Sequence, residues 1–225
     1  ANMTFTTVTA GNNNADPDPS NGIVLSNTGT SGSLIVPGGG NTTQGGDNSG
    51  GTIQRTTGAG ISLTNTQSPS FTNVRILNTG ADGIIGTRVT NFTFKNGRID
   101  TSGTAANESN ISFRGDTSGT AANLSGVVTI TDNGLNNPLY HGVDIQNYTG
   151  TISDANINNN SITSLTAIAA AQGSGIRLIS FGTASSAAHV TKANINNNVI
   201  QNFPVGDGIQ VQGGNPALGG PSTTM

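Results

Sequence analysis

The chain has 225 residues with 8 Lys or Arg and 11 Asp or Glu, for a formal net charge of -3 and a pI near 5.0. Eight cations with no basic stripe are too few to neutralise a phosphate backbone, which excludes a nucleic-acid partner. Gly, Thr, Asn and Ser supply 116 residues (33, 32, 30 and 21) and Cys is absent, so the chain is either a disordered polar tract or a repetitive β-structure whose turns and outer faces use small polar residues.

Regularly placed Ile, Val, Leu and Phe favour the second outcome. Residues 1–49 resemble the rest of the chain only in composition and are expected to form an irregular N-terminal segment or a first coil. Their opening, "ANMTFTTVTA", lacks the basic start and apolar run of a signal peptide, and no segment has the length of apolar residues that a membrane span needs. Residues 50–225 carry repeats, and 1–225 reads as one continuous domain. "FTNVRI" at 71–76 returns as "FKNGRI" at 94–99, which aligns Phe71, Asn73, Arg75 and Ile76 with Phe94, Asn96, Arg98 and Ile99 at a period of 23. Gly60-Ile61 falls on Gly83-Ile84 at the same offset. "HGVDI", "SGIRL" and "DGIQV" then set Gly142, Gly175 and Gly208 at intervals of 33, and "ANINNN" occurs at 155–160 and 193–198, 38 apart. Phrases that persist while their spacing varies mark stacked repeats with loops inserted at fixed corners.

Within the phrases the alternation is two-fold. Val74 and Ile76 flank Arg75, Ile176 and Leu178 flank Arg177, and Ile209 and Val211 flank Gln210, the inward and outward pattern of a strand. Only "SLTAIAAAQG" at 164–173 departs from it and reads as a short helix or an apolar loop. The asparagines fit the corners. Asn tolerates the left-handed conformation, and Asn158, Asn159 and Asn160 would stack on Asn196, Asn197 and Asn198 about 4.8 Å apart, with their amides bonding along the stack.

Arg75 and Arg98 are adjacent by the 23-residue period, with Lys95, Arg88, Asp82 and Asp100 close in sequence. This is the densest charge in the chain. Two arginines about 4.8 Å apart repel and favour an anionic partner or neighbouring carboxylates. Asp82 and Asp207 read as turn caps ahead of Gly-Ile strand starts, several coils apart. His141 and His189 have no ligand-spaced neighbours and read as surface residues. No catalytic residue, metal or cofactor is expected.

The segments "GAGISLTNTQSPSFTNVRILNT", "GADGIIGTRVTNFTFKNGRID" and "ANINNNSI" resemble the right-handed parallel β-helix repeats of the pectate-lyase-like superfamily, in the Thr/Asn/Gly-rich form of large bacterial surface and secreted proteins such as adhesin and autotransporter passenger regions. The resemblance covers residues 50–212. It implies an all-β solenoid of roughly six to eight coils, about 30 to 40 Å long, secreted or on the cell surface. Pectin hydrolases of this superfamily carry Asn-Thr-Asp, Asp-Asp, Gly-His-Gly and Arg-Ile-Lys segments. Only fragments occur here: Asp82 in "GADG", Asp207 in "GDG", His141 in "YHG" and Arg177 in "IRLI". The expectation is therefore a non-enzymatic structural or adhesive segment, meeting copies of itself or the rest of a longer chain through uncapped ends. The alternative is a lyase or carbohydrate-binding protein for an acidic polysaccharide, using Arg75, Arg98, Lys95 and Arg88. An ice-binding surface would need a regular Thr-x-Thr ladder that these phrases do not show.

Overall fold

A computed structural model describes residues 2–12, 14, 18–164 and 173–214. Among them the protein is all-β, with no helix. The N-terminal strands are β1 (Met3–Thr4), β2 (Ile23–Ser26), β3 (Leu34–Val36), β4 (Gly51–Gln54), β5 (Ile61–Gln67), β6 (Ser70–Thr72) and β7 (Val74–Thr79). The middle holds β8 (Ile84–Lys95), β9 (Arg98–Ser102), β10 (Ile111–Phe113), β11 (Leu124–Thr131), β12 (Gly134–Pro138) and β13 (Val143–Asn147). The last are β14 (Gly150–Asn158), β15 (Ser161–Thr163), β16 (Ile176–Ser180), β17 (Ala188–Val190), β18 (Ala193–Asn194), β19 (Val199–Gln201) and β20 (Ile209–Gly213). The 164–173 segment, apart from Ser164 and Gly173, lies outside the described residues.

Every strand pairing is parallel. The strands form one sheet of fourteen and one of six, an arrangement compatible with a β-helix or solenoid. The 23-residue period sets the register directly: Ile61 pairs with Ile84, Phe71 with Phe94 and Arg75 with Arg98. The first of these ladders continues through Ile111, Val143, Ile176 and Ile209. In the smaller sheet Ile53, Ile76, Ile99, Leu135, Ile162 and Ile200 stack in order. Except for Ile209, these inward side chains make one core, with Ile200 partly buried against it, and each fully buried Ile, Leu or Phe contributes about 1.5–3 kcal/mol.

Close packing explains the repeated Gly-Ile and Gly-Val pairs. A Cβ on Gly142 would stand 2.4 Å from Cγ2 of Ile162 and 2.5 Å from the carbonyl oxygen of Gly175, and one on Gly175 would meet Ile200 and Gly208 in the same way. At the equivalent rung Asn110 fits by turning its amide aside: its Oδ1 accepts from Ser102 Oγ at 2.6 Å and its Nδ2 donates to the carbonyl of Asn136.

The corner into the smaller sheet is left-handed at every rung. Asn73, Asn96, Asp132, Asn159 and Asn197 have φ of 57, 48, 61, 56 and 54°, and each of the first four donates its N–H to the carbonyl of the residue just before the next corner. A strap formed by residues 37–50, between β3 and β4, lies across these corners. Gly50 N–H donates to Asn73 O at 3.0 Å, and Gly45 N–H to Asp132 O at 2.9 Å. Asn96 Nδ2 donates to Thr43 O at 3.2 Å, and Gln44 Nε2 to Asn159 O.

The inward row is uncovered at its last described rung, where Ile209 and Val211 pair with the buried Ile176 and Leu178. Ile209 and Val211 are 46% and 52% exposed, because no strand among the described residues follows β20 in its ladder. No helix among the described residues is long and apolar enough to cross a membrane.

Candidate functional site

Arg75 and Arg98 are register partners on the outer face of the smaller sheet. Arg98 Nη2 is held by Asp100 Oδ2 at 2.8 Å, while Arg75 Nε is buried with no hydrogen-bond partner. Lys95 ends β8 in the other sheet, and the Asn96 corner separates it from Arg98. Arg88 belongs to an earlier bend, where its Nη2 lies 3.1 Å from Asp116 Oδ2. The Ser118 hydroxyl, donating to Asp116, holds that carboxyl below its ordinary range. Arg88 and Asp116 border a shallow polar cleft of about 500 Å³ with Thr64, Thr87 and Ser118. Arg75 and Arg98 thus stand side by side while Lys95 and Arg88 lie elsewhere, and Arg98 and Arg88 are already neutralised by the protein's own carboxylates.

The asparagine corners form a repeating clip. Asn160 Oδ1 accepts from the N–H of Asn133 at 3.0 Å, and Asn198 Oδ1 from the N–H of Asn160 at 3.0 Å. The amide nitrogens of Asn133, Asn160 and Asn198 donate to the carbonyls of Phe94, Ile130 and Ile157. Asn160 Nδ2 also reaches Asn198 Oδ1 at 2.9 Å. Beside the clip, Asn158 Oδ1 accepts from Asn196 N–H at 2.9 Å and Asn159 Nδ2 donates to Asp132. Asn197 supplies the left-handed turn.

The structure assembles a second charged group on β10, β13 and β16. Asp144 has no exposed surface. Arg177 grips it through Nε at 2.9 Å and Nη2 at 2.8 Å, Arg114 Nε lies 3.3 Å from Oδ2, and Gln146 Nε2 lies 3.2 Å from both oxygens. Two guanidiniums around one carboxylate leave an excess positive charge, carried by arginine side chains that are 27% and 17% exposed. The spacing of 33 between "HGVDI" and "SGIRL" places Asp144 opposite Arg177 and was the available signal. Arg114 was hidden, because the interval from its strand to the next is 32 and the phrase "ISF" shares no residue with "VDI" beyond apolar type.

His141 is buried, not on the surface. It lies in a rail made by the residue before each strand start. Asp82 Oδ1 accepts from Ser109 N–H at 2.8 Å, Ser109 Oγ from His141 N–H at 3.2 Å, and His141 Nδ1 from Ser174 N–H at 2.7 Å. With Nδ1 an acceptor, the ring proton is assigned to Nε2, which faces Asp144 Oδ2 at 3.8 Å. Burial pushes His141 down to about 4 against the pull of Asp144. Burial likewise pushes Asp82 up to about 6, opposed by the Ser109 N–H. Asp82 therefore belongs to this rail and not with Arg75 and Arg98.

Chemically, Asp144 is enclosed and both its oxygens are engaged, so it orients Arg114 and Arg177 instead of exchanging a proton with a substrate. The outer surface offers guanidinium, hydroxyl and amide groups, which suit hydrogen bonding. No family model matches the chain, nor does any curated protein or solved structure.

Proposed function

We propose that the chain is a right-handed parallel β-helix, like those of the pectate-lyase-like superfamily, and serves as a non-enzymatic structural and adhesive segment of an extracellular or cell-surface protein or filament. The observation that carries this reading is the continuous parallel ladder through β2, β5, β8, β10, β13, β16 and β20, in which each repeat adds one rung and little else. Strand twist favours the right hand for connections between parallel strands. Among the described residues no strand covers the β20 edge, and Ile209 and Val211 are exposed there. An open parallel edge with exposed β-branched residues is a template for a further strand, supplied by another copy or by the rest of a longer chain.

Electron microscopy over a concentration series tests the reading. The expected result is end-to-end filaments that a Val211→Lys variant abolishes, since an edge lysine blocks strand addition. Single particles at every concentration, together with turnover of an acidic polysaccharide that Arg98→Ala removes, would overturn it.

A further inference from the structure

In the ladder from β2 to β20, the N–H that opens each strand donates to the carbonyl just before the next strand. Ile23 donates to Gly60 O at 3.1 Å, Ile61 to Gly83 O at 3.0 Å, Ile84 to Asn110 O at 2.8 Å, Ile111 to Gly142 O at 3.1 Å, and Val143 and Ile176 to Gly175 O and Gly208 O at 3.0 Å. Ile209 is the next donor in this series, and among the described residues no strand follows β20 to accept it. At the opposite edge β2 pairs only with β5. By the same alternation the Gly22 carbonyl and the Val24 N–H face away from the ladder.

The glycine before each strand is set by close packing. A Cβ on Gly22, Gly60, Gly83, Gly142 or Gly175 would lie 2.3–2.6 Å from an isoleucine Cγ2 of the next rung and 2.5–2.9 Å from that rung's carbonyl. Gly208 keeps the glycine, yet a Cβ there would meet nothing within 4 Å, and its φ is not left-handed. Nothing inside the chain calls for a glycine at this place, and a further rung does. The two edges also suit each other. None of β1, β2, β18, β19 and β20 holds a charged residue or a proline, the usual guards of an open edge. The inward row that ends on Val211 starts on Leu25, and the row that ends on Ile200 starts on Ala10. A cleft of about 250 Å³ beside Leu25, bordered by Met3 and Leu34, gives the exposed Val211 a place to enter.

We propose that a second copy of this chain stacks head to tail on β20, with its β2 paired in parallel and in register. Ile209 N–H then donates to Gly22 O, Val24 N–H donates to Ile209 O, and Gly208 meets Ala10 and Gly22 of that copy. This inference rests on the structural reading above and names its partner and register. Each copy adds the seven rungs from β2 to β20, about 34 Å at about 4.8 Å each. A contact between unlike surfaces that does not close into a ring builds an open, polar filament.

Gly208→Ala tests the junction directly. In the dilute chain its urea midpoint should match or slightly exceed the parent's, because the space is open, while the concentration needed for filaments should rise about tenfold or more. Val24→Pro, tolerated where an edge N–H faces outward, blocks the other end. In sedimentation velocity, Val24→Pro and Val211→Lys chains should each remain monomeric, and their mixture should give dimers and nothing larger, since one keeps β20 intact and the other β2. Circular dichroism should show every variant folded. Parental assembly by Gly208→Ala, a dimer of either blocked variant alone, or parental filaments without the mixed dimer would overturn the head-to-tail junction and leave the structural role standing. A parent chain that stays monomeric at every concentration would overturn both.

Discussion

Asp82 and His141 sit two rungs apart on one rail, and burial moves their proton affinities in opposite directions. Asp82 titrates at about 6 in the folded chain against an ordinary value of 3.8, so between these values the folded protein keeps a proton that the unfolded chain has released. Its contribution to stability is full below about 3.8 and is lost as pH rises through about 6, by at most about 1.4 kcal/mol per pH unit. His141, lowered from 6.5 to about 4, has the opposite sign: the unfolded chain takes a proton that the fold refuses, and stability is lost as pH falls. Between about pH 4 and 6 the two slopes cancel. Relative to the parent, Asp82→Asn should therefore gain stability as pH rises through that window, and His141→Asn should lose it, both read from urea midpoints at successive pH values. A second outcome concerns the clip. Asn160→Ala strands the N–H of Asn133 and the carbonyl of Ile130 in the interior and should cost about 2–4 kcal/mol. The asparagines were legible from the repeated "ANINNN", because Asn has few other reasons to recur at a corner. The burial of His141 was not, since a single sequence does not say which polar residue of a turn faces inward.

Strand register follows the aromatic and aliphatic rows. Phe94 has no exposed surface and pairs with Phe71 and Ile130, so Phe94→Ala should destabilise by about 3–5 kcal/mol, seen as a lower denaturation midpoint. Gly175→Ala forces a Cβ to within 2.4 Å of Ile200 Cγ2 and 2.8 Å of the Gly208 carbonyl. It should cost about 1–3 kcal/mol, the usual effect of overpacking. The step from Phe71 to Phe94 was plain in the sequence because the interval of 23 carries several identities. The next step, from Phe94 to Ile130, spans 36 residues and passes two loops. Period-two alternation shows which residues of a phrase face inward, but not at which corner an insertion leaves the stack. For this reason the pairing of Phe94 with Ile130 emerged only with the register. Taken one at a time, the fragments around His141 and Arg177 define no site, and it is their shared interval that brings them to Asp144.

At the scale of the whole molecule, residues 37–50 connect places far apart in the chain. Composition marks "PGGGNTTQGGDNSG" as a loop, but nothing in it says that the loop runs across the corners. Its fit is tight: Gly46 has φ of +63°, and a Cβ there would be 1.9 Å from Asn96 O. Gly46→Ala should lift the strap, and hydrogen exchange at the Gly45 amide should speed up by about tenfold or more. The strands' hydrogen bonds point along the stacking direction. A pull on the two ends of the ladder would therefore open them one rung at a time, as tape peels. The strap crosses from Asn73 to Asn159 and puts those rungs in parallel under load, so that a tear entering from either end meets a segment that has to give way all at once.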